Sequence, residues 1–209
     1  MGVRATPGAV VVLNGAPRSG KTSLARAIQE QSPEIWMNLG VDLWAAATPP
    51  HLAPGIGLRP GAGRPDLETH ITPLYRALYA ASAAVSRSGL NVVLDVAHHE
   101  GYTRPLKTLQ LAAMMLDGLP AWLVGVRVGE ASALLRRAST WGQTVEQDPG
   151  LTARVRRWEA GVHDPGIYDL VLDESVGTPE EAARRILALV NTGLASAFAR
   201  IRETATPTP

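Results

Sequence analysis

Eight residues near the N-terminus have the types and spacing to hold a polyphosphate: Gly15-Ala16-Pro17-Arg18-Ser19-Gly20-Lys21-Thr22. They match G-x-x-x-x-G-K-[ST], in which glycines let the backbone approach phosphate oxygens and several N–H groups converge on one concavity. The helix start that follows adds partial positive charge. In this chemistry Lys21 reaches the β- and γ-phosphates and the Thr22 hydroxyl binds Mg2+. The chain has only two lysines, Lys21 and Lys107, against eighteen arginines. A sequence that otherwise uses Arg keeps a compact cation at this position.

A kinase built on such a loop needs a group that takes the proton of an acceptor hydroxyl, and Asp42 is the candidate base. Its place ahead of Leu43-Trp44-Ala45-Ala46-Ala47 equally suits a helix N-cap. Asp95, at the end of an apolar run, is a candidate to hold Mg2+ through water or to orient the acceptor. Trp44 and His98 are candidate acceptor contacts, and either Trp44 or Trp141 is a candidate to stack on an aromatic acceptor. His98-His99-Glu100 lacks the spacing of a helical zinc motif, so no metal is expected there. His163 reads as structural. Residues 127–157 carry Arg127, Arg136, Arg137, Arg154, Arg156 and Arg157. Guanidinium forks match phosphate oxygens, and the stretch reads as a lid closing over the phosphoryl group, with Arg136 and Arg137 near its hinge. A solvated basic face on two helices is the plainer alternative.

These residues need elements to position them. Ala9–Asn14 is β-branched and apolar, as a buried parallel strand is. Lys21 to about Gln31 reads as a helix, and Glu34–Leu39 as a short strand ending in Gly40-Val41-Asp42. Residues 48–66 are rich in Pro and Gly and form a long acceptor-side loop. A helix follows from about Leu67 to Ser88, or from Thr72 with Pro73 at its first position. Then come a strand over Leu90–Asp95, a helix over 103–117, a strand over Ala121–Val128, helices over 130–139 and 151–161, a strand over Tyr168–Leu172, and a helix from Glu180 to about Arg202 with a break near Gly193. Alternating strands and helices predict an α/β, three-layer P-loop NTPase fold: about five parallel strands, helices on both faces and an Arg-bearing lid. Sheets of this type bind ligands at the carboxyl ends of their strands, which is where the loop, Asp42, Asp95 and Arg127 fall. The expected organisation is an arm over 1–8, one kinase domain over 9–202 with its lid at 128–157, and a tail over 203–209.

Composition narrows the function. A net charge of +1 gives no whole-chain attraction to nucleic acid or membrane, and no apolar run reaches the length of a membrane span. The absence of cysteine excludes thiol chemistry and suits a cytoplasmic protein. A homo-oligomer is left open. There is no Asn-Lys-x-Asp guanine signature, and Val96 rather than Glu follows Asp95, which argues against GTPases and ATP-driven motors. A small-molecule kinase using ATP and Mg2+ on a hydroxylated acceptor remains. A non-catalytic ATP-binding module is the alternative of another class.

The sequence also resembles the chloramphenicol phosphotransferase family. The matching pieces are Val11-Val12-Leu13-Asn14-Gly15 running into Gly20-Lys21-Thr22, then Gly40-Val41-Asp42, Val92-Val93-Leu94-Asp95, Val124-Gly125-Val126-Arg127, His163 and Tyr168-Asp169, in that order over residues 9–173. The chain departs from the family at Pro17 and Arg18, where small residues are usual, at Val96, where a second Asp is familiar, and across 48–66. The resemblance implies ATP-dependent phosphorylation of a hydroxyl on an antibiotic or similar small molecule, with Asp42 as base and Arg136 and Arg137 on phosphate. A kinase of an intracellular sugar nucleotide or metabolite is the alternative within the class.

Overall fold

A computed structural model of the chain describes residues 6–59 and 64–205. Five strands form one parallel sheet: β1 (Val10–Asn14), β2 (Trp36–Asn38), β3 (Asn91–Val96), β4 (Ala121–Val126) and β5 (Leu170–Leu172), in the order β2-β3-β1-β4-β5. The central place of β1 explains its unbroken apolar run, since a strand covered on both faces has no solvent side. Its side chains alternate between two cores. Val10 and Val12 face Ile71, Leu78, Leu94, Leu123 and Ile201, while Val11 and Leu13 face Leu24, Ile28, Val93, Val124 and Ile186. The first core is closed by α3 (Glu68–Arg87), α4 (Thr108–Met115) and α8 (Ala197–Ala205), the second by α1 (Lys21–Gln31) and α7 (Pro179–Asn191). Each fully buried Leu or Ile contributes about 1.5–3 kcal/mol. The expected three-layer fold is therefore the observed one.

Three helices lie outside this frame: α2 (Val41–Ala47), α5 (Glu130–Trp141) and α6 (Leu151–Val162). The α5–α6 pair has a small core of its own, Val128, Ala133, Leu151, Val155 and Trp158, which docks on Ala16 of the glycine loop. It occupies the place expected for the lid.

Several boundaries differ from expectation. Pro73 lies inside α3 rather than at its start; the carbonyl it deprives of a donor belongs to exposed Thr69. The helix expected from 103 begins at Thr108, because the Glu100 carboxylate accepts from the Leu106 and Lys107 N–H groups and folds the preceding residues into a loop. Residues 48–59 are packed rather than loose, in two short 3-10 turns, Pro50–Leu52 and Gly55–Gly57, with Ile56 and Leu58 buried in the first core. Residues 60–63 of that loop lie outside the described residues. The break at Gly193 (φ 70°) separates α7 from α8, and α8 runs past 202 to Ala205. At the other end, Gly8 donates to Ser86 O at 2.8 Å and accepts from Ser86 Oγ at 2.6 Å, so the last residue of the expected arm is held against α3. Residues 1–5 and 206–209 lie outside the described residues.

Candidate active site

The sheet register sets the site. Leu13 pairs with Asp95 and Asn14 with Val96, so the chain leaves β1 beside the end of β3. Gly15 is required there: a Cβ would collide with Val126 O and lie 2.7 Å from Ser19 Oγ. Gly20 takes φ 100° as it hands over to α1, a left-handed conformation that glycine adopts without penalty. Arg18 takes φ 74° despite its side chain, which costs about 1–3 kcal/mol. Within the loop, Lys21 Nζ donates to Gly15 O and Ala16 O, both at 2.8 Å. Burial brings its ammonium down to about 8 from 10.5, opposed by Asp95, Glu159 and Asp42 and reinforced by Arg59. Phosphate oxygens in place of the loop carbonyls would favour the charged form of this buried ammonium.

Asn14 fixes the loop from below. Its side-chain amide donates to Val162 O (2.9 Å) and Tyr168 Oη (3.1 Å), and its Oδ1 accepts from the His98 N–H (2.8 Å). Gly125, paired with Asn14 across the sheet, makes this possible, because a Cβ there would meet the Tyr168 ring at 2.9 Å. His163 completes the brace, with Nδ1 2.7 Å from Tyr168 Oη and Nε2 3.2 Å from Glu159 Oε1. It is structural, as expected. Asp169 joins β5 to α8, accepting from the Ser196 and Ala197 N–H groups and from Leu123 N–H.

Above the loop lies a cleft of about 520 Å3, within the range of small-molecule sites. The phosphate loop forms its floor. On one side stand Val41, Asp42, Ile56–Arg59, Asp95–Ala97 and His99; on the other stand Arg127 and Leu172–Ala182 segments; Arg136, Thr140, Trp141 and Trp158 overhang it. Asp95 is buried and accepts from Thr22 Oγ1 at 2.8 Å. The backbone of Gly40 passes so close to Asp95 that a Cβ would overlap Oδ1. Asp42 is not the N-cap of α2; Gly40 holds that place, and Asp42 lies in the first turn, exposed to the cleft. Arg136 donates from Nη1 to Arg18 O at 3.1 Å, and its Nη2 lies 3.6 Å from Glu174 Oε1.

Three expected site residues fall elsewhere. His98 does not line the cleft: it is buried between Tyr79 Oη (2.6 Å from Nε2) and Thr108 Oγ1 (2.9 Å from Nδ1), and its neighbour His99 faces the cleft instead. Adjacent residues of an extended segment point to opposite sides, so only one of the pair can reach the cleft. His99 also bonds Leu58 O at 2.8 Å, joining this segment to the loop over residues 48–59. Trp44 packs against the first core and does not line the cleft. Arg137 is fully buried inside the α5–α6 pair, over the Trp141 and Trp158 rings, because consecutive helix residues diverge by about 100° and Arg136 takes the cleft side. Arg154 and Arg156 are bound to Asp148 and Glu130, as on a solvated face. Sequence reasoning missed Arg59, His99 and the bracing role of Asn14. The Leu-Asn-Gly lead-in was the signal for Asn14; nothing local marked Arg59.

Comparison with known proteins agrees with the fold. The family model described as chloramphenicol phosphotransferase-like protein matches residues 8–191. The chain is 28% identical over 197 residues to "Putative O-phosphotransferase Rv2636" of Mycobacterium tuberculosis, covering 86% of this chain and 80% of that one. Its fold is similar to that of the Mycobacterium tuberculosis APS kinase CysC, solved with AMPPNP and APS (TM-score 0.60, 17% identity, 88% of this chain and 98% of that chain). It is also similar to shikimate kinase from Acinetobacter baumannii, solved with shikimate (TM-score 0.59, 14% identity, 90% and 94%). Family and fold are those of P-loop phosphotransferases. Among the described residues no helix is long and apolar enough to cross a membrane. The chain belongs to the chloramphenicol phosphotransferase-like family.

Proposed function

We propose that this chain moves the γ-phosphoryl group of ATP to a hydroxyl of a small molecule, a natural-product antibiotic being the acceptor class its family suggests. One observation carries the reading: a cleft with a phosphate loop as its floor and two carboxylates, Asp42 and Asp95, on the same wall. The loop N–H groups and Lys21 hold the phosphates. The Thr22 hydroxyl and the Asp95 carboxylate, 2.8 Å apart, fit a hard divalent cation, for which oxygen donors are suited. Mg2+ bound by them would offset phosphate charge. Asp42 orients the acceptor hydroxyl and takes its proton onto a carboxylate oxygen as the new P–O bond forms. Arg127 and Arg136 face the cleft and supply fixed positive charge, the type of preorganisation that usually contributes most to such a reaction. The overhanging lid excludes water, which would otherwise compete with the acceptor.

The test is transfer of label from γ-labelled Mg-ATP to a panel of hydroxylated drugs and metabolites. Asp42→Asn is expected to bind Mg-ATP normally and to lose transfer by about 100-fold or more. Unchanged turnover would remove Asp42 from this role. Affinity for Mg-ATP without transfer to any hydroxyl would favour a non-catalytic nucleotide-binding module.

A further inference from the structure

Where α5 and α6 meet the cleft, three arginines gather around two tryptophans. Arg18 lies 3.6 Å from the centre of the Trp141 ring, Arg59 lies 5.0 Å from Trp141 and 5.5 Å from Trp158, and Arg137 lies 5.0 Å and 4.4 Å from the same two rings. Arg137 is fully buried; Nη1 donates to Gln143 Oε1 at 3.1 Å, and Nε and Nη2 have no partner among the described residues. Arg18 Nε is likewise buried and unpartnered. Among the described residues no carboxylate forms an ion pair with Arg18, Arg59 or Arg137. Asp148 is taken by Arg154, Glu130 by Arg156 and Glu174 by Arg136; Glu159 holds His163 and the Val128 N–H through Oε1, and its buried Oε2 has no partner among the described residues. Of the three arginines only Arg18 is drawn by Asp42, which also acts on Lys21, and Arg18 and Asp42 form no ion pair. Residues 60–63, which follow Arg59, are Pro-Gly-Ala-Gly and bring no acid. Aromatic faces attract guanidinium groups but leave their N–H donors unsatisfied. Three like charges held together with free donors are arranged for an oxyanion.

We propose that this cluster is a second anion subsite, adjoining the triphosphate cradle at Arg18, and that it receives a phosphate, sulfate or carboxylate carried by the acceptor. The inference rests on the kinase reading and narrows its substrate to hydroxylated molecules bearing a fixed negative charge. Position argues for the acceptor over the donor. Arg59 belongs to the wall of Ile56, Leu58 and Asp42, whereas Arg127 stands on the opposite wall and Arg136, overhanging the cleft, reaches Glu174 of that opposite wall. Mutual repulsion within the cluster agrees: Arg137 is held below its ordinary range by burial, then by Arg59, Arg18 and Arg154.

The test uses the full chain with saturating Mg-AMPPNP in the cradle and inorganic sulfate as the probe, read by tryptophan fluorescence. Sulfate is expected to bind the Mg-AMPPNP complex saturably. Arg59→Gln, at the cleft rather than in the core, should weaken sulfate at least tenfold and leave AMPPNP affinity within twofold. Arg59→Lys, which keeps the charge, should fall between. In labelled-ATP assays of matched compounds, transfer is expected only to those with the anionic group. No saturable sulfate binding to the complex, or loss of AMPPNP affinity in Arg59→Gln, overturns the subsite by assigning the arginines to the donor phosphates. Failure of the unaltered chain to bind Mg-AMPPNP overturns the kinase reading itself, and the acceptor assignment with it.

Discussion

The Thr22 hydroxyl donates to Asp95 Oδ2 at 2.8 Å, joining the first turn of α1 to the end of β3. Seventy-three residues separate the two in sequence, and the Leu13–Asp95 register brings them together. Gly40 lies against the same carboxylate from β2's side. Three segments therefore meet at one oxygen-lined point beside the phosphate loop.

If this point holds the cation that accompanies the nucleotide, its two oxygens should matter only when the cation is present. Thr22→Ala and Asp95→Asn are each expected to weaken binding of the Mg-nucleotide by about 10-fold or more. Binding of the metal-free nucleotide should change little. Calorimetric titrations with Mg2+ and with a chelator separate the cases; equal losses in both would make the pair a structural bond only.

Gly40→Ala tests the close approach. Gly40 has φ −62° and ψ 174°, which alanine adopts freely, so any cost must come from the collision with Asp95. Overpacking of this kind costs about 1–3 kcal/mol and should lower the melting temperature by several degrees. Removing the obstructing carboxylate in Gly40→Ala/Asp95→Ala should restore part of the loss. A double-mutant cycle measures that coupling, and strict additivity of the two changes would show that Gly40 does not serve Asp95.

The order of elements and the phosphate loop were legible because each rests on local pattern. The apolar run Val10–Asn14, the glycine spacing and the helix after Lys21 need no tertiary information. What the sequence did not reveal depends on which way a side chain turns once packed. Arg136 and Arg137 carry the same charge on neighbouring positions, yet the lid core takes one and the cleft the other. His98 and His99 divide in the same way. Trp44 lies two residues from Asp42, but the helix turns it onto the first core. Arg59 was hidden for a different reason. It sits in a Pro/Gly-rich loop with no periodicity, and its partners, Trp141 and Trp158, are about 80 to 100 residues further along.

Lys21 gives the site a pH signature. In the free protein burial holds its ammonium near 8, and only the charged form attracts phosphate. The kcat/KM for Mg-ATP, which reports the free protein, should therefore fall above about pH 8, approaching tenfold per unit. The kcat limb should lie at higher pH, because bound phosphate stabilises the ammonium. Steady-state kinetics from pH 6.5 to 10 measure both limbs. A kcat/KM profile flat through pH 9.5 would place the Lys21 charge beyond titration and contradict the buried resting position.

His98 gives the fold a second pH signature, of opposite origin. Burial, with a smaller contribution from His99, brings its imidazolium down to about 3 from 6.5, so the ring stays neutral between Tyr79 and Thr108. Its contribution to stability is fully present above the unfolded value near 6.5. Below that the unfolded chain binds a proton that the folded chain refuses, and stability declines toward pH 3 by about 1.4 kcal/mol per unit for this group. His99, also held down chiefly by burial, adds to the same slope. Between pH 6.5 and 5, before most carboxylates titrate, the urea midpoint should fall steadily. His98→Gln is expected to lower stability at every pH, since it breaks two buried hydrogen bonds, but also to make that slope shallower. The comparison of slopes, not of absolute midpoints, carries the test. An unchanged slope in His98→Gln would mean that the ring accepts a proton in the folded state and that the Tyr79–His98–Thr108 chain is not held neutral.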